Sequence, residues 1–162
     1  MGSSGVTGLL VAAGVLAVAT VIGLWWRSRN GRLRVIGPPP SADRNGEDRD
    51  GGDRDAEVLA ALGVVSGTPV TLVQFSSAVC APCRVAARVC AEIAGSRDGV
   101  THLEVDAENQ LDPVRSLGVW RTPTVLVVDS TGRIRYRSSG AVRKTELDTA
   151  VAAELAATTA AR

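Results

Sequence analysis

The chain has 162 residues, enough for one ordinary domain and a short additional segment. Its formal net charge of +1 provides no overall basic excess, so we expect no nucleic-acid partner. Its three cysteines are too few, and odd in number, for the disulfide framework of a small secreted protein.

The first segment, residues 6–26, contains no charged residue. A helix rising ~1.5 Å per residue needs about 20 residues to cross a ~30 Å hydrocarbon core. Trp25 and Trp26 close the segment, as aromatic residues do at a membrane boundary. A buried core helix would show a polar face, and a cleavable signal peptide would begin with Lys or Arg. We therefore predict a transmembrane anchor over 6–26, with the lipid bilayer as partner.

The charges beside this anchor predict its orientation. No basic residue precedes it, and four follow closely: Arg27, Arg29, Arg32 and Arg34. Because basic flanks stay on the cytoplasmic side, we expect a single-pass protein of the cell membrane whose C-terminal domain faces the cytoplasm. Pairs of small residues in an alanine-rich helix arise by chance, so they do not indicate dimerisation, and we expect a monomer.

Residues 27–55 have the composition of a linker. Pro38, Pro39 and Pro40 form a stiff polyproline stretch, and a run of glycine and mixed charge follows them. Such a composition buries too little apolar surface to offset the chain entropy lost on folding. We predict a disordered spacer that lets the following domain reach its partners.

From residue 56 to 158, short segments with the patterns of helices and of strands alternate, which predicts one domain. Strand–helix–strand alternation implies parallel pairing through right-handed crossovers, and a hairpin near the end adds an antiparallel strand. The prediction is an α/β fold with a mixed central sheet of about four strands flanked by helices. We place strands at 69–76, 100–106, 124–129 and 133–138, and helices at 56–62, 81–94, 108–117 and 145–157.

Cys80 and Cys83 form a Cys-Ala-Pro-Cys pair, a spacing that indicates redox or metal chemistry. Cys80 follows a predicted buried strand and opens a helix, where unpaired N–H groups and the helix dipole stabilise a thiolate. We therefore expect its pKa to lie below the ~8.5 of a free thiol. Cys83, one turn further on, is expected to be more buried. Cys80 is thus the predicted attacking thiol and Cys83 the resolving thiol.

The cysteine pair after a hydrophobic strand, together with residues 117–126 (LGVWRTPTVL), resembles the thioredoxin family. The resemblance covers about residues 56–158. It implies a thioredoxin-like fold in which Pro123 follows a cis peptide bond. In the family, this proline loop faces the cysteine pair and binds a substrate chain through backbone hydrogen bonds, which here would involve Thr122.

The resemblance implies a thiol–disulfide oxidoreductase acting on protein thiols and disulfides, with roles in electron transport and cell redox homeostasis. The sequence holds no nucleotide, flavin or haem motif, so we expect no cofactor. A reductase or a small thiol would then supply the electrons. Ala-Pro between the cysteines is closer to the Gly-Pro of reducing thioredoxins than to the Pro-His of strong oxidants, which favours a protein-disulfide reductase. An outward-facing thiol oxidase or isomerase and a non-catalytic adaptor are the alternatives.

Three positions depart from the family pattern. Val79 replaces the usual tryptophan before the first cysteine, Gln74 replaces a buried aspartate, and His102 replaces its companion lysine. Since glutamine cannot accept a proton, we hypothesise that His102 takes part in proton handling around Cys83. The alternative is an ordinary solvent-facing histidine on a strand.

Cys90 lies seven residues after Cys83, about 10.5 Å along a helix, which is too far for a disulfide between them. We expect it to be a small buried residue. A zinc site made of Cys80, Cys83, Cys90 and His102 is a rival interpretation. It leaves the Thr-Pro segment without a role and needs Cys90 to point back towards the pair, so we predict no metal.

Overall fold

The computed structural model describes the backbone of residues 3–29, 32–36 and 47–160 and the side chains of 8–25, 32–36 and 51–160. The chain divides into two compact units between residues 30 and 31. The first contains helix α1 (Ser3–Arg29). Within the described residues, α1 alone is long and apolar enough to cross a membrane, over Gly8–Trp25, and none of the side chains in that stretch is buried. The predicted polyproline stretch lies outside the described residues.

The second unit is the α/β domain. Its strands are β1 (Arg34–Val35), β2 (Val70–Ser76), β3 (Val100–Asp106), β4 (Thr124–Asp129) and β5 (Ile134–Ser139). Its helices are α2 (Glu47–Ala61), α3 (Ala81–Ser96), α4 (Leu111–Ser116) and α5 (Lys144–Ala160). In the described part of the chain, five strands form one sheet in the order β1-β5-β4-β2-β3. Strands β2 and β3 are parallel and the other neighbours are antiparallel, so the sheet is mixed as predicted.

Helix length decides which strands run parallel. The 16 residues of α3 span ~24 Å, which matches the ~23 Å of a seven-residue strand, so α3 returns the chain to begin β3 beside the start of β2. The six residues of α4 span only ~9 Å. The chain therefore stays at the edge where β2 and β3 end, and β4 starts there, antiparallel to β2. The parallel crossover expected between β3 and β4 was wrong for this reason.

Helices cover both faces of the sheet. Strand side chains alternate between the faces, so each face has its own group of buried apolar residues. One group packs beneath α2 and α4 and includes Leu59, Val73, Phe75, Val105, Leu117 and Leu126. The other packs beneath α3 and α5 and includes Val70, Leu72, Cys90, Ile93, Val125, Leu147 and Val151.

The predicted spacer over 27–55 is wrong for part of its length. Val35 pairs with Tyr136, so β1 is an edge strand on β5. Helix α2 begins nine residues before the predicted start at residue 56. Partial burial in this helix raises the pKa of Asp55, while Arg137 acts in the opposite direction. The composition of this stretch is polar, but β1 and α2 both contact β5.

Helix α4, in contrast to α2, begins later than predicted, at Leu111 rather than residue 108. Asp106 accepts hydrogen bonds from the Glu108 N–H (2.9 Å) and the Asn109 side chain (2.7 Å). Aspartate commonly fixes a turn in this way. The turn delays the first helical residue.

Candidate active site

Cys80 and Cys83 lie at the start of α3, directly beyond the end of β2, and are joined by a disulfide with a Cα–Cα distance of 5.3 Å. Cys80 is half-buried, whereas Cys83 is only 2% exposed. Cys83 is thus the more buried of the two, as predicted, and Cys80 is the sulfur that a substrate could reach.

Cys80 is the N-cap residue of α3. The Cys83 N–H lies 3.2 Å from the Cys80 sulfur and 3.1 Å from the Cys80 carbonyl oxygen. Pro82 occupies the first helical turn, where its missing N–H removes no helical hydrogen bond. The Cys80 sulfur is thus held where helix N–H groups and the positive end of the helix dipole favour negative charge.

The loop before β4 lies beside this pair. The Thr122–Pro123 peptide bond is cis, as the resemblance implies. The Thr122 hydroxyl lies 3.4 Å from the hydroxyl of Ser77, three residues before Cys80. The Gly140 N–H donates to the Pro123 carbonyl oxygen at 2.7 Å, which fixes the loop from the side of β5. The antiparallel start of β4 therefore brings the two segments together.

Arg137 supports the same loop and was not identified from the sequence. Its guanidinium donates to the carbonyl oxygens of Gly118 (2.9 Å) and Leu117 (2.5 Å), at the end of α4. Helix C-termini leave such carbonyls unpaired, and arginine often satisfies them. An arginine in a strand resembles any other surface cation until the fold is known, so no sequence signal marks this role.

Gln74 is fully buried on β2, and its side chain contacts the backbone of Cys83. Its amide nitrogen donates to the Cys83 carbonyl oxygen at 3.0 Å and to a Glu104 carboxylate oxygen at 3.4 Å. The His102 Nε2 lies 3.2 Å from the Gln74 side-chain oxygen. A continuous path of hydrogen bonds therefore runs from His102 through Gln74 to the backbone of Cys83.

The partners of Gln74 determine the tautomer of His102. Both amide hydrogens of Gln74 are directed at acceptors, so its oxygen must accept the bond from His102. Neutral His102 therefore carries its proton on Nε2, and Nδ1 is the nitrogen that can take up another proton. Burial lowers the pKa of His102, with a smaller opposing effect from Glu104. The solvent-facing alternative is wrong, because the ring is half-buried and hydrogen-bonded.

Cys90 is a free, fully buried thiol among the apolar residues beneath α3 and α5. Burial, with a smaller contribution from Glu104, raises the pKa of Cys90 to about 12. It is therefore a neutral core side chain at physiological pH. Across the side chains that the structure describes, no three His, Cys, Asp or Glu residues are grouped so that they could hold a metal ion.

Two apolar side chains beside the cysteine pair are almost fully exposed. Val79, directly before Cys80, is 91% exposed, and Trp120, three residues before Pro123, is 89% exposed. These are the highest values among the large apolar side chains of the described residues. Val79 was noted from the sequence only as a departure from the family pattern, and Trp120 was not singled out.

Comparison with known proteins identifies the family. The thioredoxin family model matches residues 63–153, which is more than half of the chain. No curated protein sequence matches the chain. Among solved structures, the chain is similar to a mutant thioredoxin from Halobacterium salinarum NRC-1, at 16% identity and a TM-score of 0.49 over 57% of this chain and 96% of that one. With its mixed sheet, flanking helices and bonded Cys80–Cys83 pair, this chain belongs to the thioredoxin family.

Proposed function

We propose that the protein reduces disulfides in other proteins by dithiol exchange through Cys80 and Cys83. The observation that carries the proposal is the bonded cysteine pair at the N-terminus of α3, with one sulfur half-exposed beside the Thr122–Pro123 loop. A bond between two such cysteines is one of the two states through which a dithiol catalyst cycles.

The reaction proceeds in two displacements. The Cys80 thiolate attacks one sulfur of a substrate disulfide, so the Cys80–substrate bond forms while the substrate bond breaks. The released substrate sulfur leaves as a thiolate and takes a proton from solvent. Cys83 then loses its proton and attacks the Cys80 sulfur, which closes the Cys80–Cys83 disulfide. The second substrate sulfur leaves and is protonated, so two electrons have passed to the substrate.

The substrate chain would dock on the proline loop. Thr122 is half-buried and Pro123 is buried, and the Pro123 carbonyl oxygen already accepts a bond from the Gly140 N–H. In our proposal the backbone of Thr122 pairs with the extended segment that carries the substrate disulfide. A reductase or a small thiol restores the dithiol after each cycle.

We propose in addition that Gln74 and His102 handle protons around Cys83. The neutral Gln74 amide cannot accept the Cys83 proton, but it couples the Cys83 backbone to His102 through hydrogen bonds of 3.0 and 3.2 Å. Burial lowers the pKa of His102 and so favours the neutral ring, whose Nδ1 would take up the proton that Cys83 loses. If His102→Ala leaves the pH dependence of mixed-disulfide release unchanged, this role is excluded.

The test of the reductase assignment is a redox titration joined to an activity assay. The full-length protein in lipid nanodiscs is equilibrated with glutathione buffers, and insulin reduction is followed by turbidity. We expect a reduction potential near or below the ~−270 mV of thioredoxin, with activity lost in Cys80→Ser and retained in Cys90→Ala. A much higher potential would favour the outward-facing oxidase or isomerase, and exchange-inactive wild-type protein would favour the adaptor.

We also propose that residues 6–26 anchor the protein as a single membrane span, with the thioredoxin domain in the cytoplasm. The apolar stretch of α1 supports a span. The sidedness rests on the four arginines that follow it, because basic flanks are retained in the cytoplasm. A reducing compartment would also keep the Cys80–Cys83 pair supplied with electrons.

A further inference from the structure

The first half of α3 carries positive charge in a place where helix stability disfavours it. Residues 81–90 include Arg84 and Arg88 and no acidic residue. Cations near a helix N-terminus oppose the helix dipole, and like charges four residues apart repel each other. Both side chains are exposed, and neither forms a hydrogen bond or ion pair with any described residue. Neither charge therefore forms an ion pair that stabilises the fold, although Arg88 lies four residues before Glu92.

The same arginines border the apolar surface beside the disulfide. Val79 and Trp120 lie on two loops that meet where Ser77 contacts Thr122, and both are about nine-tenths exposed. Helical side chains tilt towards the helix N-terminus, so Arg84 and Arg88 are directed back towards the first turn and Cys80. The half-exposed sulfur of Cys80 thus has apolar side chains on the neighbouring loops and cationic side chains on the helix that it opens.

None of the described carboxylates forms an ion pair with Arg84 or Arg88. Asp106 and Glu104, both on β3, keep their negative charge because they accept hydrogen bonds from neutral N–H donors only. Glu92, further along α3, is ion-paired with Lys144. The side of the site formed by α3 therefore presents unpaired positive charge.

We propose, on the basis of the reductase function above, that the preferred substrates are protein segments with apolar residues next to the cystine and acidic residues a short distance from it. Trp120 and Val79 would receive the apolar residues, and Arg84 and Arg88 the carboxylates. Along the axis of α3, Arg84 and Arg88 lie ~6 Å and ~12 Å from Cys80. An extended chain advances ~3.3 Å per residue, so the acidic residues belong two to four positions from the cystine.

The test compares two peptides that differ only in charge. Each contains one disulfide flanked by leucine, with glutamates or lysines two and four residues from the reacting cysteine. The pre-reduced full-length protein in zwitterionic nanodiscs is mixed with each peptide, and single-turnover rate constants are measured. We expect the acidic peptide to react about 5–10-fold faster at low salt, with the preference shrinking as ionic strength rises.

Substitutions then assign this preference to the arginines. In Arg84→Gln/Arg88→Gln the ratio of the two rate constants should fall to about 1, because little charge discrimination remains. The ratio is the informative quantity, since any effect of Arg84 on the Cys80 thiolate alters both rates equally. Arg97→Gln/Arg133→Gln, with the same charge change at the opposite edge of the sheet, should keep the preference. Trp120→Ala should slow both peptides by about tenfold and leave the ratio unchanged.

Other results of the peptide comparison would overturn the proposal. A wild-type protein that reacts equally with both peptides, or faster with the basic one, overturns the proposal. A preference that survives in Arg84→Gln/Arg88→Gln also overturns it. The salt dependence of the wild-type ratio decides the matter if that variant does not fold, because a ratio unaffected by salt excludes charge recognition. Failure to reduce either peptide would instead overturn the dithiol exchange itself, and this inference with it.

Discussion

Gln74 engages its whole amide group inside the protein, with bonds to the Cys83 carbonyl, Glu104 and His102. A buried polar group removed from such an arrangement leaves its partners unsatisfied, and each lost partner carries a desolvation penalty. Gln74 therefore does two things: it stabilises the fold, and it positions the backbone of Cys83. Its identity could be read from the sequence, but its partners could not, because they depend on the register of β2 against β3.

Gln74→Leu should lower the free energy of unfolding by about 1–3 kcal/mol, because the Cys83 carbonyl and the His102 ring lose their partner. Chemical denaturation of the full-length protein in nanodiscs measures this change. A variant as stable as the wild type would show that water replaces the amide without cost.

His102 predicts a pH dependence with a defined sign. Burial lowers its folded pKa below the unfolded value of about 6.5, so the unfolded chain binds more protons in the window below that pH. The free energy of unfolding should therefore decrease as pH falls below about 6.5. In His102→Gln, which keeps an N–H donor for Gln74, this part of the decrease should vanish. Superimposable pH profiles of the two proteins would contradict the burial effect.

Helices and strands could be predicted from the sequence where their apolar residues form a clear pattern. Strands β2, β3 and β4 are six or seven residues long, and their bounds agree with those predicted to within one residue. Strands β2 and β4 are mostly apolar, whereas β3 also contains polar residues. Strand β1 has only two residues and carries no periodic signal, so it was missed. It forms because Leu33 packs against the core beneath α5, and the Leu33 N–H donates to Glu146 at 3.3 Å. Such contacts lie more than 100 residues apart in sequence and are visible only in the fold.

Leu33→Ala should therefore lower the free energy of unfolding by about 1–2 kcal/mol, since a half-buried side chain is lost from the core. The matched control is Val35→Ala, two residues on and within β1, where the side chain is exposed and little should change. Denaturation of both variants in nanodiscs makes the comparison. Equal stability of the two would show that this segment does not contribute to the domain.

At the scale of the whole molecule, an apolar helix and a thioredoxin domain share one chain. The motif at residues 80–83 and the Thr-Pro segment were sufficient to predict the fold and to single out the cysteines that are bonded to each other, because both patterns are local in sequence. The support from Arg137 and the exposure of Trp120 were not predictable, since each depends on how the loop after α4 returns to β4. Charge beside the helix predicts sidedness without any structure.

The topology can be measured with reporters fused to the C-terminus. We expect a fluorescent reporter that folds only in the cytoplasm to be active, and an alkaline phosphatase that needs export to be inactive. Replacing Arg27 and Arg29 with glutamine, and adding two arginines before residue 6, should weaken or reverse this orientation. An active phosphatase on the unaltered chain would place the domain outside and favour the oxidase.

The most direct test of dithiol exchange is to trap its intermediate. Reduced full-length Cys83→Ser is mixed with the disulfide form of a peptide, quenched with acid, and mapped by mass spectrometry without reduction. We predict one peptide bound through a disulfide to Cys80 and persisting because no resolving thiol follows, while Cys80→Ser forms little adduct. Adduct on Cys90, or no adduct on Cys80, would contradict the assignment of Cys80 as the attacking residue.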